Sequence, residues 1–272
     1  MHRLLPTQRI GRAGLGLAAA ALLALAGCSS GTGGGPTGTG TDGTGTDGTG
    51  TQDSPQLALA SSADRLGDTS FKIEMQMGEV MTATGQMDPA AGEGSMTMNI
   101  AAEGITMAIE TIFTESDMWM NMGEMGALLG GEGWLHLDTS KLGEDGLMGV
   151  KPGQADPANA AALLQGLGEV ERVDERTFRG TIDLTKAPDS SFADDQVLAE
   201  LGDGARTLPF TATVDEEGRL SEFTIDMPAM ATVPAQQMVV RYYDYGTPVE
   251  INPPPADEVT EAPDLFYGTV GS

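Results

Sequence analysis

The sequence predicts an α+β domain: an antiparallel β-meander with one wet face and one face covered by a few short helices. Two observations predict it. Apolar and polar residues alternate with period two through most of residues 69–245, as in strands that bury one face only. Many neighbouring runs are joined by short turn sequences such as Gly78-Glu79 and Asp215-Glu216-Glu217-Gly218, and consecutive hairpins of this kind make an antiparallel meander rather than βαβ units.

The elements follow in chain order. Residues 1–27 read as a secretory signal peptide, because His2, Arg3, Arg9 and Arg12 precede an apolar run over about 13–26 that is too short for a comfortable membrane span. The run ends in Leu25-Ala26-Gly27-Cys28, which resembles the lipobox of bacterial lipoproteins, where cleavage before the cysteine leaves its sulfur to carry diacylglycerol. Cys28 is the only cysteine, so no intramolecular disulfide forms. Residues 28–54 are a Gly/Thr-rich tether with nothing to bury, and its reach is roughly 28 Å. The Gly-Thr-Asp repeats lack the closing glutamate of an EF-hand and the recurring apolar residue of a β-roll, so they read as linker. Residues 55–259 form one domain large enough for a sizeable core, and 260–272 are a polar tail.

Within the domain, Ser54 caps a helix with Pro55 at its first position and Gly67 as its stop. The scheme repeats with Asp156, Pro157 and Gly168, and a third helix covers about 192–201 before Gly202. Strands are expected near 69–77, 80–88, 94–102, 104–115, 117–122, 133–138, 169–175, 177–185, 208–215, 219–227 and 237–245.

Charge narrows the partners. With the leader removed, 40 acidic residues stand against 11 basic ones, a net charge near −29. Such a surface repels nucleic acid and anionic headgroups and keeps the chain soluble. Membrane attachment then rests on the lipid at Cys28, and the domain is expected to be a monomer.

The inner positions of the first strands carry an unusual set of side chains. Phe71, Ile73, Met75 and Met77, then Met96, Met98 and Ile100, then Ile105, Met107 and Ile109, then Met118, Met120 and Met122 project to one side. Twelve of the 16 methionines fall between Met75 and Met148. Methionine is flexible and polarizable, whereas a core that must be unique prefers Ile, Val, Leu and Phe. Two readings fit: an ordinary core of loose composition, or a deformable apolar cavity lined by these thirteen residues.

The C-terminal stretch Tyr242, Asp244, Tyr245, Gly246, Pro248, Val249 and Pro253 to Pro255, with the hairpin at 210–228, resembles the actinobacterial lipoproteins of the LppX/LprG/LprA/LprF type. The resemblance implies a strongly curved antiparallel half-barrel, similar to the LolA/LolB carriers, with helices on its concave side. It also implies an apolar cavity that binds or moves acylated lipids or glycolipids at the outer face of the cytoplasmic membrane. The glycine-rich segment 123–149 and the methionine content depart from the family pattern.

Catalytic chemistry is poorly supplied. His136 is the sole histidine beyond the leader, the pairs Asp194-Asp195 and Glu216-Glu217 sit in polar helix or turn sequence, and no phosphate loop, dinucleotide fingerprint or Cys-x-x-Cys occurs. No enzyme activity and no cofactor are expected. The rival readings are a Cu(I) site built on the Met-x-Met pairs, whose thioethers suit that ion, and a surface interaction or sensory lipoprotein with no small-molecule ligand.

Overall fold

Strand alternation decides the architecture. The computed structural model describes residues 54–102, 105–128, 133–142, 156–187, 195–230, 233–263 and 266–267, all within one compact unit, Gly48–Ser272. The leader region, Cys28 and all of the tether but Ser54 lie outside the described residues, as do residues 129–132 and 143–149 of the glycine-rich segment.

Twelve strands form one large, open, curved sheet: β1 (Phe71–Met77), β2 (Met81–Asp88), β3 (Glu93–Ala102), β4 (Ile105–Phe113), β5 (Asp117–Asn121), β6 (Trp134–Asp138), β7 (Leu167–Arg172), β8 (Thr177–Ile182), β9 (Leu208–Val214), β10 (Leu220–Met227), β11 (Gln236–Tyr243) and β12 (Val259–Glu261). Their order is β12-β6-β5-β4-β3-β2-β1-β11-β10-β9-β8-β7. Two meanders, β1 to β6 and β7 to β11, therefore meet at an antiparallel β1–β11 seam, where Ile73 faces Tyr242 and Met75 faces Val240. The sheet does not close: β7 and β12 are its free edges. Glu169, Glu171 and Arg172 along β7 keep that edge charged, as exposed edges require.

Four helices accompany the sheet: α1 (Pro55–Asp64), α2 (Glu124–Leu128), α3 (Ala160–Gln165) and α4 (Asp195–Leu201). Helix α1 starts as the sequence requires, with the Ser54 hydroxyl accepting from the Leu57 amide at 3.2 Å and Pro55 at the first position. Its Leu59 and Ala63, followed by Leu66, join the core formed by the sheet's inner face. Helix α3 departs from expectation. Pro157 does not open it; the helix begins at Ala160, after Asn159 in the left-handed region, and ends at Gln165 rather than at Gly168. A side chain at Gly166 would lie 2.5 Å from the Asp183 carbonyl, so the chain leaves the helix there and enters β7 two residues earlier than the alternation suggests.

The tail motif acquires a structural meaning. Asp244 and Gly246 adopt positive φ, making the turn after β11, and the Gly246 amide donates to the Ser70 carbonyl. Asp244 accepts from Lys72 at 2.8 Å, and the Tyr245 ring packs against Phe71 and beneath the Arg219 guanidinium. The following proline-rich segment crosses the outer face, where Gln86 donates to the Glu250 carbonyl, and delivers β12 parallel to β6. The sheet thus continues past residue 259, and Phe266 beyond it is buried in the core.

Candidate functional site

Strand register assembles the inner face. Across β1 to β6 the aligned positions Met75, Ala83, Met98 and Ile109, and beside them Ile73, Gly85, Met96, Thr111, Met120 and Leu135, form two rows pointing the same way. Phe71, Ile73, Met75, Met96, Ile109, Met118, Met120 and Met122 are buried, and Met77, Met98, Ile100 and Met107 are half-buried. One expectation is corrected. Ile105 is 72 % exposed at the start of β4, because the β3–β4 hairpin extends beyond its neighbours in the sheet. Part of this face is filled by its own side chains: a Cβ on Gly94 would meet the Met87 sulfur and the Phe113 ring at 2.5 Å.

The other half of the concavity is floored by Phe178, Phe210, Phe223, Ile225 and Val240, with α1 and α3 above it. A polar knot that the sequence did not announce ties these layers together. Asp156, 6 % exposed, accepts from the Tyr242 hydroxyl at 2.9 Å, from the Ala158 amide at 3.0 Å and from the Ala160 amide. Burial pushes the Asp156 carboxyl above its ordinary value, against the pull of these hydrogen bonds, and pushes the Tyr242 hydroxyl well up. The cap-like Asp-Pro sequence was the available signal, but it predicted only a helix start at Pro157. The partner comes from a strand 86 residues away.

No protein-family profile matches this chain, and no curated protein sequence matches it. Among solved structures it is similar to the LolA superfamily protein NE2245 from Nitrosomonas europaea, with 12 % identity, a TM-score of 0.27, and coverage of 75 % of this chain and 96 % of that one. The strand pairing alone defines the fold.

A cleft of about 910 Å³ opens between α1 and the β7–β8 and β9–β10 hairpins. Leu57, Ala58, Phe178 and Val214 supply its apolar wall, and Arg65, Arg172 and Arg176 stand around it among Glu175, Asp215 and Glu216. Sequence reasoning passed over these arginines, since they are scattered along the chain and only hairpin geometry gathers them.

On the outer face His136 sits between two carboxylates, Asp117 at 2.7 Å and Glu261 at 2.9 Å, with its ring tilted against Trp119. Burial alone would lower its pKa, but hydrogen bonds to Asp117 and Glu261, and their charges, prevail and raise it above 6.5. The Ser116 hydroxyl bonds to Asp117, and Asp138 on β6 adds a further negative charge nearby. The imidazolium therefore clamps β12 to β5 and β6. Because the folded-state pKa is raised, the stabilisation is complete below about pH 6.5 and fades as pH rises through the higher folded value. Thermal melting should show a decline above pH 6.5 worth under about 1 kcal/mol, with a flat profile in His136→Gln; an unchanged slope in the variant would remove the clamp.

Proposed function

We propose that this chain is a membrane-anchored, non-enzymatic lipoprotein that holds acyl chains of a lipid or glycolipid against the concave face of its sheet, at the outer side of the cytoplasmic membrane. The observation that carries the reading is the unclosed, curved sheet whose aligned inner positions offer Met75, Met98, Met107 and Met120 to an apolar interior. Methionine accepts varied apolar shapes, and each buried methylene contributes about 0.8 kcal/mol, so a long chain binds without specific polar contacts. The tail motif from Tyr242 to Pro255 supports kinship with the LppX/LprG/LprA/LprF-type lipoproteins, and Cys28 supplies the anchor. Among the described residues no helix is long and apolar enough to cross a membrane.

Native mass spectrometry of the protein with organic extraction tests this reading. Acyl lipid should co-purify with the parent chain and be lost from Met98→Asp/Met120→Asp. Met98→Asp alone, at a half-buried site, should lose most of it while retaining a native circular dichroism spectrum. Unchanged lipid content in either folded variant sinks the assignment. The packing of Met87 and Phe113 over Gly94 favours a second reading, a display or sensory domain with a filled interior, for which no lipid is recovered from the parent protein.

A further inference from the structure

The cleft between α1 and the two hairpins differs electrostatically from the rest of this acidic molecule. Of the ten described basic residues, seven have a carboxylate oxygen within 4.0 Å: Lys72, Lys141, Arg176, Arg179, Lys186, Arg219 and Arg241. The exceptions among the described residues are Arg65, Arg172 and Arg206, and the first two line this cleft. Each is oriented by a main-chain carbonyl instead. Arg65 donates to the Glu217 carbonyl, and Arg172 donates to the Glu175 carbonyl at 3.0 Å while its guanidinium lies 4.5 Å over the Phe178 ring. A carbonyl positions a guanidinium without cancelling its charge, and the remaining N–H groups stay free to meet a planar or tetrahedral anion. Three acids line the cleft: Asp215 is taken up by Arg219 at 2.6 Å, Glu216 by Arg176 at 3.4 Å, and Glu175 stands beside Arg172, which its main-chain carbonyl engages.

Directly beside these two cations lies apolar surface. Leu57, 49 % exposed, and Ala58 on α1 and Val214 on β9 are partly exposed along the cleft, while Phe178, 1 % exposed, lies beneath the Arg172 guanidinium. A volume of about 910 Å³ falls within the range of sites for small ligands. Apolar wall next to uncompensated guanidinium is the complement of an amphiphile with a negatively charged head.

We propose that this cleft is the seat of the anionic headgroup of an acyl-bearing ligand, with Arg65 and Arg172 on the carboxylate or phosphate and the first methylenes of the chain along Leu57, Ala58 and Val214. The assignment rests on the lipid-binding reading and adds to it a location and a sign of charge. It also gives Arg65 a second task, since the same side chain fastens the end of α1 to the β9–β10 turn.

The test uses the full chain carrying Cys28→Ser and the fluorescent fatty acid cis-parinaric acid, compared at pH 8 with its uncharged methyl ester. The parent protein should bind the acid about tenfold more tightly than the ester at low salt, the worth of one charge-assisted hydrogen bond in a half-exposed site. Added sodium chloride should shrink that ratio. Arg65→Met/Arg172→Met should bring it to about one by weakening the acid more than the ester, and Arg65→Lys/Arg172→Lys should restore part of it. Equal affinity of the parent for acid and ester overturns the headgroup seat and leaves the lipid-binding reading standing. Binding of neither probe overturns both. Competition by hexanoate or inorganic phosphate as strong as by the long-chain acid makes the cleft a plain anion site and overturns the amphiphile assignment.

Discussion

Replacing Asp156 by Ala should lower the unfolding free energy by about 3 kcal/mol, the largest effect expected of a single polar substitution in this fold. The carboxylate accepts from the Tyr242 hydroxyl, at 2.9 Å, and from the Ala158 and Ala160 amides, and all of these groups are buried. Removing it leaves several donors without an acceptor away from water, which costs more than the bonds themselves contribute. It also frees the segment entering α3 from β11, so the two layers lose their shared tie. Tyr242→Phe should cost less, about 1 kcal/mol, since one bond is lost and the amides keep their acceptor. In the double variant the two losses should not add, because they act on one network. Urea unfolding followed by the fluorescence of Trp119 and Trp134 measures all three. Full additivity, or a loss below about 1 kcal/mol for Asp156→Ala, would show that the knot does not hold α3 to the sheet.

Cys28→Ser should move the protein almost completely from the membrane to the soluble fraction and abolish its labelling by palmitate. Single acyl chains bind membranes reversibly, whereas two chains on one group hold stably. The acidic composition supplies no electrostatic substitute for them: the chain carries a formal net charge of −26, which repels anionic headgroups. Retention of the variant on membranes washed at high salt, where electrostatic attachment is screened, would defeat the lipobox reading.

Much of the fold was legible before the structure, and the reason is local. Alternation with period two marks a strand wherever one face is wet, so β1 to β6 and β8 to β11 fall within a few residues of the runs that predict them. The start of α1 was equally plain, since a serine cap followed by proline is a contact among neighbours. The same cue misled at Asp156-Pro157, where the carboxylate serves a distant tyrosine and the helix waits until Ala160. Strand β12 escaped notice because three residues are too few to show a period, and its partner β6 lies far upstream.

The sequence by itself determined the antiparallel hairpins, the acidic composition and the methionine-bearing face, for each of these is written in residues close together along the chain. Only the tertiary structure decided that β11 joins β1 and so brings two meanders into one open sheet. It alone placed Asp156 beneath Tyr242, exposed Ile105, and gathered Arg65 and Arg172 around one cleft. Those pairings span tens to hundreds of residues, and they form because burying the inner face of both meanders at once removes more apolar surface from water than either could alone.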